Sequence, residues 1–242
     1  MARFARVVAT GLPHHVTQRG NARRIIFESD ADRLVYLQLL QSNCESYALS
    51  VLGFYLMSNH VHLIVVPESA EAMALALRHA HGRYASYLNA RHGNSGHVWQ
   101  GRYYSCPLDT GHLWAALRYT ERNPVRAGMV AAPDLYRWSS AALHCGQEHC
   151  PIPLRVDLEL WQASWSAASW REFIGQADAD REIQTLRAST HTGRPLGAPE
   201  FVKTLEESLH RSLMPQKGGR PRKSAAEAGQ RLTSETFRLS PL

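Results

Sequence analysis

The sequence predicts an α+β fold built on one antiparallel sheet, with the chain order β-α-β-β-α-β followed by a further helix. Three observations lead there. Apolar runs of strand length alternate with two long segments of helical periodicity. The two middle strands are separated only by Ser58-Asn59, so they form a hairpin. Each helical segment ends at a recognisable stop signal. Two β-α-β halves split by a hairpin make the ferredoxin-like arrangement, with helices on one face of the sheet.

The elements follow in order. Residues 14–21 (HHVTQRGN) form a short strand closed by a Gly turn. Ser29-Asp30 caps a helix that runs to Tyr47, with Leu34, Leu37, Leu40 and Cys44 at helical spacing. Residues 49–57 (LSVLGFYLM) are a buried strand, and residues 60–67 are its hairpin partner. Residues 71–91 form a long helix stopped by Gly93, and residues 101–108 a strand ended by Pro107. Asp109 or Thr110 caps a helix that turns Leu113, Ala116, Leu117 and Thr120 inward. It ends at Asn123-Pro124, because a residue before proline resists the helical conformation.

These elements make a catalytic-sized domain over residues 1–145. Residues 146–190, rich in Trp, Ala, Glu and Arg from 158 onward, read as a helical extension. Residues 191–242 read as a basic tail, polar and poor in core formers from Pro215 and so partly disordered when free.

The 242 residues carry 44% hydrophobic and 20% charged residues and a formal charge of +6. The pI of about 9.3 suits a polyanionic partner. The N-terminus is too poor in apolar residues for a signal peptide. No stretch approaches the ~20 apolar residues that cross a bilayer. A cytoplasmic, nucleoid-associated location is the expectation, with no membrane partner. Cys44, Cys106, Cys145 and Cys150 are too scattered for a disulfide framework. His144, Cys145, His149 and Cys150 are crowded into seven residues, which does not wrap a tetrahedral zinc ion.

His60 and His62 carry the first chemical signal. Thirteen histidines in 242 residues make such a pair a roughly once-per-chain chance event, so the pattern alone is weak. His79 and His81 repeat it within a helix, where residues two apart point about 200° apart and cannot share an ion. In a strand, residues two apart project from one face. His60 and His62 therefore converge. Two imidazoles do not complete a metal site, so a third ligand should come from a neighbouring element, with Asn123 open to a second reading as the residue that simply ends its helix before Pro124. Tyr119 and Asn123 lie four apart on one helical face, and an amide oxygen suits a hard cation such as Mg²⁺ or Mn²⁺.

The run Phe54-Tyr55-Leu56-Met57-Ser58-Asn59-His60-Val61-His62-Leu63-Ile64-Val65 resembles the metal strand of the REP-associated tyrosine transposases. These belong to the HUH (His-hydrophobic-His) single-strand endonucleases and are of the insertion-sequence-200-like type. Residues 117–128 (LRYTERNPVRAG) are similar to their nucleophile helix, and residues 15–21 to their first strand. Trp99-Gln100-Gly101-Arg102-Tyr103 and Trp138-Ser139-Ser140 fit the same pattern, so the likeness spans residues 12–142. Ser58 stands where a proline is common, and Asn123 replaces the glutamine of the broader insertion-sequence branch.

The resemblance implies that Tyr119 attacks a phosphodiester of single-stranded DNA, forms a 5′-phosphotyrosine and releases a 3′-hydroxyl. It implies that His60, His62 and Asn123 hold a divalent metal, Mg²⁺ or Mn²⁺, that polarises the scissile phosphate. No nucleotide cofactor is needed, because the covalent link keeps the bond energy. Tyr103 and Tyr104 are rival nucleophiles on a strand. Gln18, Arg19, Asn21, Arg102 and Arg126 are candidate DNA contacts near the site. Arg194 and Arg220 sit in two Gly-Arg-Pro tripeptides, a setting in which an extended arginine can enter a minor groove of a palindromic hairpin stem. Two other classes remain open: a hairpin-binding protein that does not cut, and a metal-dependent nuclease that uses water. Monomer and homodimer are both open as well.

Overall fold

The computed structural model describes residues 5–147, 152–177 and 179–214. Strand β1 (His14–Arg19) leads into helix α1 (Asp30–Ser46), then β2 (Leu49–Leu56), β3 (His60–Pro67), α2 (Ala72–His92) and β4 (Tyr104–Pro107). The sheet is antiparallel throughout, in the order β2-β3-β1-β4. This is the α+β, ferredoxin-like topology expected from the sequence. Next come α3 (Thr110–Glu121), α4 (Asn123–Arg126), α5 (Ala141–His144), α6 (Glu159–Gln162), α7 (Ala167–Gly175), α8 (Asp180–Thr192) and α9 (Pro199–Ser208).

Local chemistry explains the boundaries. Ser29 and Asp32 cap α1 reciprocally, each side chain accepting the other's backbone N–H. Gly93 ends α2 with φ of 59°, a left-handed conformation in which a Cβ is costly. Asp109 caps α3 by accepting the His112 N–H at 2.8 Å. Pro124 does not end the helical path as expected. The Arg126 N–H still reaches the Arg122 carbonyl at 3.0 Å, because the proline falls in the first turn of α4, where its missing N–H removes no bond.

Two strands are shorter than the sequence suggests. β1 stops at Arg19, and residues 21–23 make a tight turn in which Ala22 and Arg23 have positive φ. β4 begins at Tyr104 rather than 101. Opposite the end of β1, the Gln18 amide occupies the Gly101 carbonyl at 2.8 Å, and pairing resumes only where Gln100 N–H meets the Arg19 carbonyl.

The sheet is buried on both faces, which is where the structure departs from helices on one face. α1 and α2 cover one side, packing Leu37, Leu40, Met73, Leu77 and Tyr84 on Val16, Phe54, Val61, Leu63 and Val65. The other side sets Leu52, Ile64 and Cys106 against Leu113, Ala116 and Leu117 of α3. Trp161, Trp170, Ile174, Ile183 and Leu186 from α6, α7 and α8 join the same core. The apolar runs of β2 and β3 carry the reason: strands with few polar positions need cover on both faces. This second core draws side chains from both sides of the boundary placed at residue 145.

A glycine sets how closely α3 can dock. Gly53 lies at an irregularity in the β2–β3 register, and a Cβ there would come within 2.2 Å of Leu117 Cδ1. At the other end of α3, the buried Glu121 carboxylate accepts from Ser140 Oγ and His144 Nδ1, each at 2.6 Å, and from Trp170 Nε1 at 2.9 Å. Cys145 is buried as a free thiol. His149 and Cys150 of the rejected zinc pattern lie outside the described residues. Among those residues, no helix is long and apolar enough to cross a membrane.

After α8 the chain is woven back into the body. Leu196 pairs with Leu108 beside β4, and Asp109 accepts the Ala198 N–H. α9 packs Leu205 on Val7 and Ala9, together with Leu213.

Candidate active site

A cleft of about 640 Å³ opens on the α3 side of the sheet, lined by β1, β3, β4, the end of α3, α4 and α8. His60 and His62 enter it from one face of β3, as strand geometry requires, with Val61 and Leu63 turned into the opposite core. Their ring centroids lie 5.2 Å apart. Tyr119 and Asn123 reach the same cleft from the end of α3 and the start of α4. The Tyr119 ring sits 5.6 Å from the His62 ring and 5.8 Å from that of His15.

The imidazoles are held neutral. Burial lowers His60 to about 4, with Arg19 and Arg187 adding repulsion. Burial also lowers His62 well below the ordinary value, followed by the nearby His15 and His60 rings. His15 falls to about 3 through burial alone. Neutral rings keep a lone pair for a cation or a proton.

Hydrogen bonds decide which nitrogen offers it. His60 Nδ1 lies 2.7 Å from Asn59 Oδ1, an acceptor, because the Asn59 amide nitrogen donates to the Arg23 carbonyl. His62 Nδ1 is occupied by His15 Nε2 at 2.8 Å. Each ring therefore has Nε2 left for the cleft. The Asn123 amide nitrogen donates to the Tyr119 and Thr120 carbonyls, which leaves Oδ1 as its remaining polar atom. Among the described residues no group of three or more His, Cys, Asp or Glu side chains could hold a metal. Two Nε2 atoms and an amide oxygen from Asn123, all lining one cleft, are donor types that would suit a divalent cation and leave positions open.

Cationic groups surround the phenol. The Arg126 guanidinium lies 4.2 Å from the Tyr119 ring centroid and donates to the Tyr119 carbonyl at 3.0 Å. Arg187 Nε–H donates to the phenolic oxygen at 3.1 Å. Such donors stabilise negative charge that develops on that oxygen.

The structure gathers some of the other sequence candidates here and not others. Arg19 lines the cleft, exposed at the end of β1. Gln18 faces the opposite side of the strand and is spent on Gly101. Asn21 is exposed in the turn beyond β1, and its N–H donates to the Val98 carbonyl. Arg102 borders a separate small cavity beside Tyr103. Tyr103 is buried beneath Arg6, whereas Tyr104 lines the cleft and stacks on His191 at 4.8 Å. Arg194 is not on an extended arm. Gly193 caps α8 in the left-handed conformation, and the Arg194 guanidinium donates to the Leu213 carbonyl. Arg220 lies outside the described residues. Sequence reasoning missed Arg187, Thr190 and His191. Their only local signal is an arginine and a threonine three apart on one helix, which is common.

Residues 9–123 match the family model "Transposase IS200 like". Among solved structures, the chain resembles a REP-associated tyrosine transposase bound to a REP hairpin. The TM-score is 0.53 at 17% identity, covering 65% of this chain and 93% of that one. At that identity the likeness is one of fold. A transposase candidate from Deinococcus radiodurans R1 matches at 16% identity over 54% of this chain and all of its own length. Its TM-score of 0.35 carries no argument. No curated protein matches the chain. The segment that supplies β1 through Asn123, and with it His60, His62 and Tyr119, is thus the part of the chain that resembles the IS200-like transposases.

Proposed function

We propose that this protein cleaves and rejoins single-stranded DNA that carries palindromic hairpins, using Tyr119 as nucleophile and a divalent metal held by His60, His62 and Asn123. One observation carries the reading. A phenol, two neutral imidazoles with Nε2 left for the cleft and a side-chain amide line one cleft, under two guanidiniums. The hairpin in the fold neighbour supports the substrate class.

In the reaction, the Tyr119 oxygen bonds to the scissile phosphorus as the bond from phosphorus to the 3′-oxygen breaks. The phenol gives up its proton and the departing 3′-oxygen takes one up, so no net proton is consumed. The 5′-phosphotyrosine keeps the energy of the broken ester, and a second 3′-hydroxyl reverses the step. Arg187 and Arg126 orient the phenol and counter the charge on the phosphate. A bound metal would act as a Lewis acid on the phosphate oxygens. Arg19, exposed at the cleft, would contribute a contact to the DNA backbone.

The test uses labelled hairpin DNA with a single-stranded flank, incubated with Mn²⁺ or Mg²⁺ and then denatured. A protein–DNA adduct that is absent in Tyr119→Phe supports the proposal. Free cut ends that persist in Tyr119→Phe point to a water-using nuclease, and intact bound DNA points to a binder. An adduct that survives Tyr119→Phe moves the nucleophile, with Tyr104 next in line. For the basic run around Arg220, we assign contact with the hairpin stem. Removing residues 215–242 should weaken hairpin binding and flatten its salt dependence while sparing α9.

A further inference from the structure

A buried polar chain runs from helix α8 to His62. It starts at Thr190 (2% exposed), passes through His15 (1%) and ends on His62 (6%). His15 Nδ1 lies 2.7 Å from Thr190 Oγ1, and His15 Nε2 lies 2.8 Å from His62 Nδ1. The two rings stack with centroids 5.1 Å apart. Three buried polar groups cost desolvation that an apolar trio of the same shape would avoid. Packing alone therefore does not explain them.

The hydroxyl gives the chain a direction. Thr190 has one hydroxyl proton, and it goes to the Leu186 carbonyl at 2.8 Å. Its oxygen can then only accept, so His15 donates through Nδ1–H. Burial favours the neutral ring, so His15 Nε2 is bare and accepts from His62 Nδ1–H. His62 Nε2 is left unprotonated. Cys106 Sγ, 3.3 Å from the same hydroxyl, leaves this direction unchanged if its S–H donates. His60 reaches the same state by another route, through Asn59.

We propose that Thr190 and His15 are positioning residues that lock His62 in the Nδ1–H tautomer. Helix α8, which lies beyond the segment matched by the family model, thereby completes the metal site. The proposal rests on the reading of His60 and His62 as metal ligands. It adds that the extension is a working part of the site: Arg187 and Thr190, three residues apart on α8, both line the cleft, one meeting the phenol and the other setting a ligand. Without the hydroxyl, His15 does better with its proton on Nε2, where His62 Nδ1 can accept it. His62 must then carry its own proton on Nε2, the nitrogen a cation needs bare.

The test has two readouts on the full chain. Long-range ¹H–¹⁵N spectra of the metal-free protein should show His62 protonated on Nδ1. Calorimetric titration with Mn²⁺ alone should show binding that weakens about 10–100-fold in Thr190→Val and returns in Thr190→Ser. Thr190→Val should also move the His62 proton toward Nε2. Wild-type His62 protonated on Nε2 overturns the proposal, and that spectrum decides the matter even if Thr190→Val does not fold. A folded Thr190→Val with unchanged Mn²⁺ affinity and an unchanged His62 spectrum overturns it too. His60→Ala and His62→Ala separate the two readings. If both bind Mn²⁺ as the wild type does, the metal reading falls, whereas tautomer control stands or falls with the spectra. If both lose Mn²⁺ and Thr190→Val does not, the role of α8 falls alone.

Discussion

Arg187 of α8 donates its Nε–H to the phenolic oxygen of Tyr119 across 3.1 Å, linking two residues 68 positions apart in the chain. The proposed nucleophile is therefore held from outside the segment that carries the family pattern. Arg187→Gln should lower the rate of adduct formation by about 10²-fold, the scale of losing one oriented donor at a reacting oxygen. Because Arg187 is exposed, the urea midpoint should barely move. A rate equal to the wild type, measured by single-turnover gel assay, would mean the contact has no part in the chemistry.

Gly53 and Leu117 define the approach of α3 to the sheet. A methyl group at Gly53 would meet Leu117 Cδ1 at 2.2 Å and Ser140 Oγ at 3.0 Å. Gly53→Ala should cost about 1–3 kcal/mol in urea unfolding. It should also slow adduct formation, since Tyr119 lies two residues along the displaced helix. Adding Leu117→Ala relieves the clash, so the double variant should lose less stability than the sum of the single losses.

Glu121 anchors the same helix from below. Glu121→Ala leaves Ser140, His144 and Trp170 without their shared acceptor, at a cost of about 3–5 kcal/mol. Glu121→Gln keeps one acceptor oxygen and should lose less. Thermal melts that rank the two in the opposite order would remove this account.

Acid should destabilise the fold well above the carboxylate range. Burial holds His14 down to about 4 and His81 to about 3, from an ordinary 6.5. Their folded-state pKa values lie below the unfolded one, so the unfolded chain binds more protons between. Stability is then full above pH 6.5. It falls as pH drops toward 4 for His14 and toward 3 for His81, by about 1.4 kcal/mol per pH unit for each ring. His15 shifts in the same direction. Urea midpoints from pH 7 to 4.5 should fall steadily, and the slope should flatten in His81→Phe. A flat wild-type profile would show that these rings are not buried in their neutral form.

Much of the architecture is legible in local patterns. The Ser29 cap, the Gly93 stop and the two-residue turn before His60 mark α1, α2 and the hairpin within a residue or two, because each depends on chemistry a few positions long. The middle of the chain is also readable as a site. Alternation in β3 puts His60 and His62 on one face, and a four-residue spacing puts Tyr119 and Asn123 on one side of a helical path. The strand ends are less legible. The Gln18 side chain intercepts the Gly101 carbonyl, a contact across 83 residues that no window contains.

By itself, then, the sequence determined which elements form, which faces they present and which histidine pair can converge. Tertiary structure decided what meets those faces. It closed the second face of the sheet with α3, α6, α7 and α8. It brought Arg187 to the phenol and Thr190 to His15, and it committed the Arg194 guanidinium to the Leu213 carbonyl. The physical reason is one of range. Backbone geometry and capping act over a few residues and leave a periodic trace. The pairing of one buried face with another is chosen by shape and hydrogen-bond satisfaction over the whole chain.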